Sequence, residues 1–313
     1  MGTPITIIQS IAERLDRAWR TKMPIAPLSE SEGISDVSAA HAIQSHWTNI
    51  RLRRGEQIAG RKIGLTSRAV QQQMGVNEPD YGTLWKSSFY EAKDGKVTMP
   101  ASDFMQPRIE GEVAFLICKP LREPNITARR VLAATDACAL GIEIVASRIA
   151  GWKIQLLDTI ADNASYGGFT LGPWDKKLRD SDLSALAMSV RKNGALAGEG
   201  LGSAVLGNPA IAAAWLANKL VNFGVSLEPG DVVISGAFMK MLPFEAGDQF
   251  VFSLSTQPGL DRHVLLSGTA GPAIHEKTSY SGSRLTILRR SHASRPNILI
   301  EPPPAKRIVP SPS

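Results

Sequence analysis

Apolar positions recur at three- and four-residue spacing over 5–20. Ile7, Ile8, Ile11, Leu15, Ala18 and Trp19 share one face, which predicts an amphipathic helix ended by Pro24 and Pro27. Ala39, Ile43, Trp47 and Ile50 predict a second helix over 37–51. His41 and His46 lie on it and are given no role, because a lone helical histidine is usually a packing or surface residue. Residues 60–66 (GRKIGLT) read as a short strand or turn leading into a helix over 67–74, and Glu78-Pro79-Asp80-Tyr81-Gly82 as a loop from its turn chemistry. From about residue 95 β signals dominate. Residues 111–118 (GEVAFLIC) are apolar on both faces, as in a strand covered on both sides. A helix is expected over 128–139. Residues 185–191 and 195–197 flank Asn193-Gly194, a strong hairpin signal.

The clearest helix is 209–223, with Asn208 as N-cap, Pro209 at its first position and Gly224 where a left-handed residue ends it. Residues 231–235 and 249–254 read as strands. The fold class that follows is α+β with a β-rich second half. The expected divisions are an N-terminal helical and mixed α/β segment over 1–90, a β-rich domain over 91–268 and a tail over 269–313.

With 313 residues, 43% hydrophobic and 20% charged, the chain can bury a sizeable core. The net charge of +6 is mostly a property of the tail. From residue 269 on there are seven Lys/Arg and two acids, leaving the body near neutral and without the basic, aromatic-interleaved stripe of a nucleic-acid binder. The tail also holds seven of the 20 prolines and the Pro302-Pro303-Pro304 run, which fits a flexible or docked segment. Cys118 and Cys138 sit in apolar runs and are expected to be reduced and buried. The N-terminus lacks a signal-peptide pattern and no uncharged apolar run reaches membrane-spanning length, so a cytoplasmic protein without a membrane partner is expected.

The candidate chemistry begins at Glu110 and Glu112. Two residues apart on a strand, they point to one face at the mouth of a buried run, where like charges repel and resist desolvation. A divalent cation would resolve both problems, and carboxylate oxygens suit Mg²⁺ or Mn²⁺. Glu143, in Gly141-Ile142-Glu143-Ile144-Val145, is a third acid in a β-like apolar run. The competing reading has Glu110 and Glu112 solvated at a strand end and Glu143 paired with Arg108 or Arg148. Lys62, between Gly60 and Gly64, is either a desolvated acid–base group or an ordinary surface lysine. Asp158, Asp162 and Asn163 read as caps or turn formers. Gly198, Gly200 and Gly202 match no nucleotide motif and read as a loop.

Five stretches taken together resemble the 2-keto-4-pentenoate hydratase family of the fumarylacetoacetase superfamily. They are GRKIGLTSRAVQQQMGVNEPDYGTL at 60–84, QPRIEGEVAF at 106–115, SRIAGWKIQLLDTIADNASYGGFTLG at 147–172, LGNPAIAAAWLANKL at 206–220 and PGDVVISGA at 229–237. The resemblance implies a mixed β-roll domain (fumarylacetoacetase C-terminal-like) after a smaller α/β segment, a Mg²⁺ or Mn²⁺ ion held by Glu110, Glu112 and Glu143, and homo-oligomers. It places Lys62 as the active-site lysine and Asp80 and Asn163 in pocket-lining motifs. The implied reaction is hydration of 2-hydroxypenta-2,4-dienoate to 4-hydroxy-2-oxopentanoate in the breakdown of aromatic compounds. The rivals are a 2-oxo-3-hexenedioate decarboxylase, a longer dicarboxylate hydratase and a non-catalytic partner subunit of the same fold. A carbon–carbon hydrolase would need a water-activating histidine, and none lies between His46 and His263. The C-terminus departs from the family pattern, with Asp261-Arg262-His263 following Gly259-Leu260, and Phe238, Met239 and Met241 stand where smaller or more polar residues are common near the family's pocket, which implies a more apolar distal pocket.

Overall fold

The computed structural model describes residues 3–31, 33–34, 36–73, 77–255 and 261–270. Helices α1 (Ile5–Thr21), α2 (Leu28–Ser31) and α3 (Val37–Arg53) precede β1 (Ile58–Gly64), α4 (Arg68–Gln73) and β2 (Asp80–Trp85). Next come β3 (Lys96–Pro100), β4 (Arg108–Ile117), α5 (Ala128–Ala133), β5 (Thr135–Val145), α6 (Leu156–Ala161), β6 (Tyr166–Leu171) and α7 (Lys176–Arg179). The chain continues through β7 (Ala187–Lys192), β8 (Ala195–Leu201), α8 (Pro209–Val221), β9 (Val232–Ile234), β10 (Leu242–Pro243), β11 (Gln249–Ser255) and β12 (Arg262–Thr269).

The strands form two mixed sheets, so the fold is α+β as expected. The first runs β2-β1-β9-β4-β5-β6, with β10 also pairing β4. It is antiparallel except where β1 lies parallel to β9. The second runs β3-β12-β11-β7-β8, with β12 parallel to β3 and antiparallel to β11. Strands β1 and β2, from the segment expected at 1–90, are thus bonded into the same sheet as β4 and β5.

The main core fills the space between the sheets. Val113, Phe115, Ile142 and Ile144 of the first meet Phe250, Phe252, Val264 and Leu266 of the second. Truncating one of these buried phenylalanines to Ala costs about 3–5 kcal/mol. A second cluster joins Ile11, Leu15, Ile43 and Trp47 of α1 and α3 to Ile160 of α6. Local chemistry explains the long helices. Asp36 accepts from the Ala39 amide at 2.9 Å to start α3, and Asn208 accepts from Ala210 at 2.8 Å to start α8. Asn193 and Gly194 both have positive φ (52° and 85°), as the tight β7–β8 turn requires.

Several expectations need correction. Asp80, Tyr81 and Gly82 are strand, not loop: they pair with Gly64, Ile63 and Lys62 of β1, and that pairing overrides their turn preference. The helix expected over 128–139 stops at Ala133, and residues 135–139 open β5, where pairing with β4 buries the apolar run. Gly198 and Gly200 lie in β8 rather than a loop; a Cβ on Gly200 would lie 2.1 Å from the Phe238 carbonyl oxygen. Cys138 is buried but Cys118 is exposed, and both are free. Phe238 is buried in the core between the sheets, and Met239 packs against it. The loop holding Gly259 and Leu260, and the tail beyond residue 270, lie outside the described residues. Among the described residues, no helix is long and apolar enough to cross a membrane.

Candidate active site and metal centre

The site grows from the β4–β5 ladder. Glu110 lies directly opposite Glu143, and Glu112 opposite Gly141. The strand's alternation turns Glu110 and Glu112 to one face and Gly111 to the other, where a Cβ would stand 2.3 Å from the Met188 Sδ of the second sheet. One carboxylate oxygen from each of Glu110, Glu112 and Glu143 lies within 4.8 Å of the others. Like charges facing each other across a ladder destabilise it. Glu112 and Glu143 are fully buried, and Glu110 is half-buried.

Their hydrogen bonding is incomplete. The Gly236 amide donates to Glu112 Oε2 at 2.6 Å, from the segment between β9 and β10 where the sheet parts beside β4. Glu112 Oε1 and both oxygens of Glu143 have no hydrogen-bond partner. Burial, reinforced by Glu143, pushes the Glu110 carboxyl up to about 7. Burial, with Glu143 and Glu110 beside it, holds Glu112 well above the usual carboxylate range. Burial raises Glu143 too, against the opposing pull of Lys62. An all-carboxylate donor set in which buried Glu112 Oε1 and Glu143 Oε2 have no partner fits a hard divalent cation.

Lys62 reaches this cluster from β1. Its Nζ lies 3.1 Å from Glu143 Oε1 and donates to the Ala164 carbonyl at 2.8 Å. It is buried rather than a surface lysine, and Glu143 pairs with it rather than with Arg108 or Arg148. Burial works against its charge, but the surrounding carboxylates, Glu143 foremost, outweigh this and hold the ammonium above the ordinary lysine range. The Ala164 carbonyl sits in a turn where Asn163, Ala164 and Ser165 all have positive φ (55°, 51° and 52°). Three such non-glycine residues in a row store strain that the surroundings must hold. Asn163 helps to hold it: its Oδ1 accepts from the Thr83 amide at 2.7 Å and its Nδ2 donates to the Thr83 carbonyl at 3.0 Å. Both ends of its amide are thereby committed to β2. Gly82, opposite Lys62, leaves the room, since a Cβ there would meet the Asn163 carbonyl oxygen at 2.5 Å.

Asp80 completes the pocket side of β2. Thr159 Oγ1 donates to its Oδ2 at 2.8 Å, while Oδ1 has no hydrogen-bond partner. That free oxygen crowds Gly64, where an added Cβ would lie 2.2 Å from it and 3.5 Å from Lys62 Nζ. Burial raises the Asp80 carboxyl and Lys62 pulls it back.

Residue types alone did not reveal what supports these groups. Asp162 is more than a turn former. Its carboxylate accepts from Arg148 Nε at 2.5 Å, from the Arg148 amide at 3.0 Å and from Ser147 Oγ at 3.0 Å. Arg148 also donates to the carbonyls of Ala146, Tyr166 and Asp162, so it clamps both sides of the 163–165 turn. Asp158 does cap a helix: it accepts from the Gln155 amide at 2.8 Å, and also from Leu28 and Ser29. The pairings of Arg148 with Asp162 and of Thr159 with Asp80 are long-range, and only the SRI and DTIADNAS stretches hinted at them.

Residues 57–265 match the fumarylacetoacetate (FAA) hydrolase C-terminal family. The chain is 45% identical over 244 residues to a 2-hydroxyhexa-2,4-dienoate hydratase of Comamonas testosteroni, covering 78% of this chain and 92% of that protein. It is 42% identical over 243 residues to a 2-keto-4-pentenoate hydratase of Burkholderia vietnamiensis, with the same coverage. Among solved structures, 4-oxalocrotonate decarboxylase from Pseudomonas putida G7, complexed with magnesium and adipate, superposes with a TM-score of 0.79 at 29% identity, covering 85% of this chain and 98% of that one. A family match that spans both sheets, and relatives aligned over nearly their full lengths, lead to one assignment: this chain belongs to the fumarylacetoacetate hydrolase family, in its 2-keto-4-pentenoate hydratase branch.

Proposed function

We propose that the protein is a hydro-lyase that adds water to 2-hydroxypenta-2,4-dienoate to give 4-hydroxy-2-oxopentanoate, in the degradation of aromatic compounds. One observation carries the reading: three glutamates converge, two of them fully buried, and Glu112 Oε1 and Glu143 Oε2 have neither a hydrogen-bond nor an ion-pair partner among the described residues. Glu110, Glu112 and Glu143 would hold the divalent cation, Mg²⁺ or Mn²⁺. When bound there, such an ion supplies a Lewis acid that draws charge onto the 2-oxo oxygen of the substrate.

The chain's own residues do the rest. Lys62, kept as an ammonium by the carboxylates around it, faces the developing enolate charge and holds a proton at Nζ. Asp80, raised by burial and with Oδ1 unengaged, is suited to passing a proton at the distal carbon during ketonisation. Water then adds at C4 of the resulting enone, with its second proton delivered to C3. Asn163 positions β2, and with it Asp80, through the Thr83 backbone. A cytoplasmic homo-oligomer completes the reading, on the strength of the family resemblance.

The test is an assay of purified protein with Mg²⁺ or Mn²⁺ on 2-hydroxypenta-2,4-dienoate and on 2-oxo-3-hexenedioate. Formation of 4-hydroxy-2-oxopentanoate supports the hydratase. Release of CO₂ from the hexenedioate as the better reaction would replace it with the decarboxylase, and absence of divalent binding would favour a non-catalytic partner subunit. The substrate one methyl longer, 2-hydroxyhexa-2,4-dienoate, belongs in the same assay because the Comamonas relative is named for it.

A further inference from the structure

Arg108 stands two residues before Glu110 on β4, on the same face of the strand and about 7 Å along it. Its guanidinium lies over the Trp152 ring, 4.5 Å from the centroid. Among the described residues that guanidinium makes no hydrogen bond or ion pair, so its N–H donors are uncommitted beside the carboxylate cluster.

The ring beneath it is held deliberately. Trp152 has φ 56°, a left-handed conformation that a bulky residue rarely adopts, and Gln106 (φ 50°) and Gly151 (φ 64°) share it. Gln106 ties these together. Its Nε2 donates to the Ile149 carbonyl at 2.9 Å, its Oε1 accepts from the Gly151 amide at 2.7 Å, and its own carbonyl accepts from Trp152 Nε1 at 3.0 Å. A side chain on β4's approach thus fixes a strained loop that presents an aromatic face to an arginine.

Charge balance supplies the reason. With Glu110, Glu112, Glu143 and Asp80 ionised, Lys62 and a divalent cation still leave the site with one excess negative charge. An anionic substrate would be repelled until a further cation is counted, and Arg108 is that cation. A planar guanidinium held over an indole can also offer two-point binding to a carboxylate.

We propose that Arg108, held over Trp152 at the mouth of the glutamate cluster, binds the carboxylate of the incoming 2-oxo acid and sets the requirement for an anionic substrate. This rests on the reading of the site as one for 2-oxo acids. Trp152 and Gln106 are positioning residues for it.

The experiment uses the full chain loaded with Mn²⁺, titrated calorimetrically with pyruvate and with its neutral methyl ester, alongside Arg108→Leu, Arg108→Lys and Trp152→Leu. Arg108→Leu should weaken pyruvate binding about ten- to hundredfold. It should leave binding of the ester as in the wild type, and leave Mn²⁺ affinity unchanged or tighter, because a cation beside Glu110 is gone. Arg108→Lys should restore part of the loss, and Trp152→Leu should show a smaller loss of the same kind. Pyruvate binding unaffected by Arg108→Leu, or pyruvate and ester weakened alike, overturns the proposal, as does a wild type that binds no pyruvate. The two readings separate: Arg108-dependent pyruvate binding without hydration of the dienoate overturns the reaction alone, whereas hydration with an indifferent Arg108 overturns the arginine's role alone.

Discussion

Two sets of buried charges lie close together at the first sheet, and they are built in opposite ways. Arg148 and Asp162 are both fully buried, and every polar arm of the pair has a partner in a backbone carbonyl, an amide or a hydroxyl. Glu110, Glu112 and Glu143 are gathered with Lys62 as their one ion-pair partner among the described residues, and Glu112 Oε1 and Glu143 Oε2 are left unanswered. The first arrangement holds a strained turn in place. The second makes no sense as scaffolding, because its members raise one another's proton affinity and weaken the ladder that carries them. Buried charge therefore marks function here only where it is left unfinished.

The comparison can be broken first at the unfinished set. Glu143→Gln should abolish tight divalent binding and lower turnover about a thousandfold, since a bound cation contributes several kcal/mol to stabilising transition-state charge. Yet it should leave the metal-free protein as stable as the wild type or more so, because one of three repelling carboxylates is gone. Calorimetric metal titration and thermal melting check the two halves. At the finished set the signs reverse: Asp162→Ala strands the Arg148 charge and should cost about 3–5 kcal/mol in denaturant unfolding. Lys62→Ala sits between the two, and should lower turnover about a hundredfold with divalent binding retained. Unchanged turnover would remove Lys62 from the chemistry.

The smallest effect is a pH dependence. Glu110 has its folded-state pKa raised to about 7, above its value in the unfolded chain. Below about pH 4.5 both states are protonated and no penalty exists. As pH climbs toward 7 the unfolded chain sheds the proton that the folded one keeps, so the metal-free protein should lose a few degrees of melting temperature between about pH 5 and 8. Saturating Mn²⁺ should abolish that slope, and a slope that persists would place its origin outside the glutamates.

How much of this could be read in advance divides along local and long-range lines. Helices α1, α3 and α8 and the Asn193-Gly194 hairpin were legible because their causes lie within a few residues of chain. Asp80-Tyr81-Gly82 was misread because what makes it a strand is β1, not its own turn-forming residues. Residues 135–139 were misread because a short apolar run carries no period of its own, and β4 decides. In the site, Glu110 and Glu112 announce themselves by two-residue spacing. Glu143 became the third member only through the family resemblance. Lys62 and Ala164 are 102 positions apart, and no local pattern could join them.

That last contact has a consequence for how the site tolerates change. The group that anchors the Lys62 ammonium is a peptide carbonyl, so no side-chain substitution can delete it. What selection must guard at position 164 is a backbone angle. Glycine should be accepted there and valine or proline refused, although none of them touches the chemistry. The anchor has no codon of its own, and its inheritance is spread over Arg148, Asp162 and Gly82, the residues that keep the turn in place.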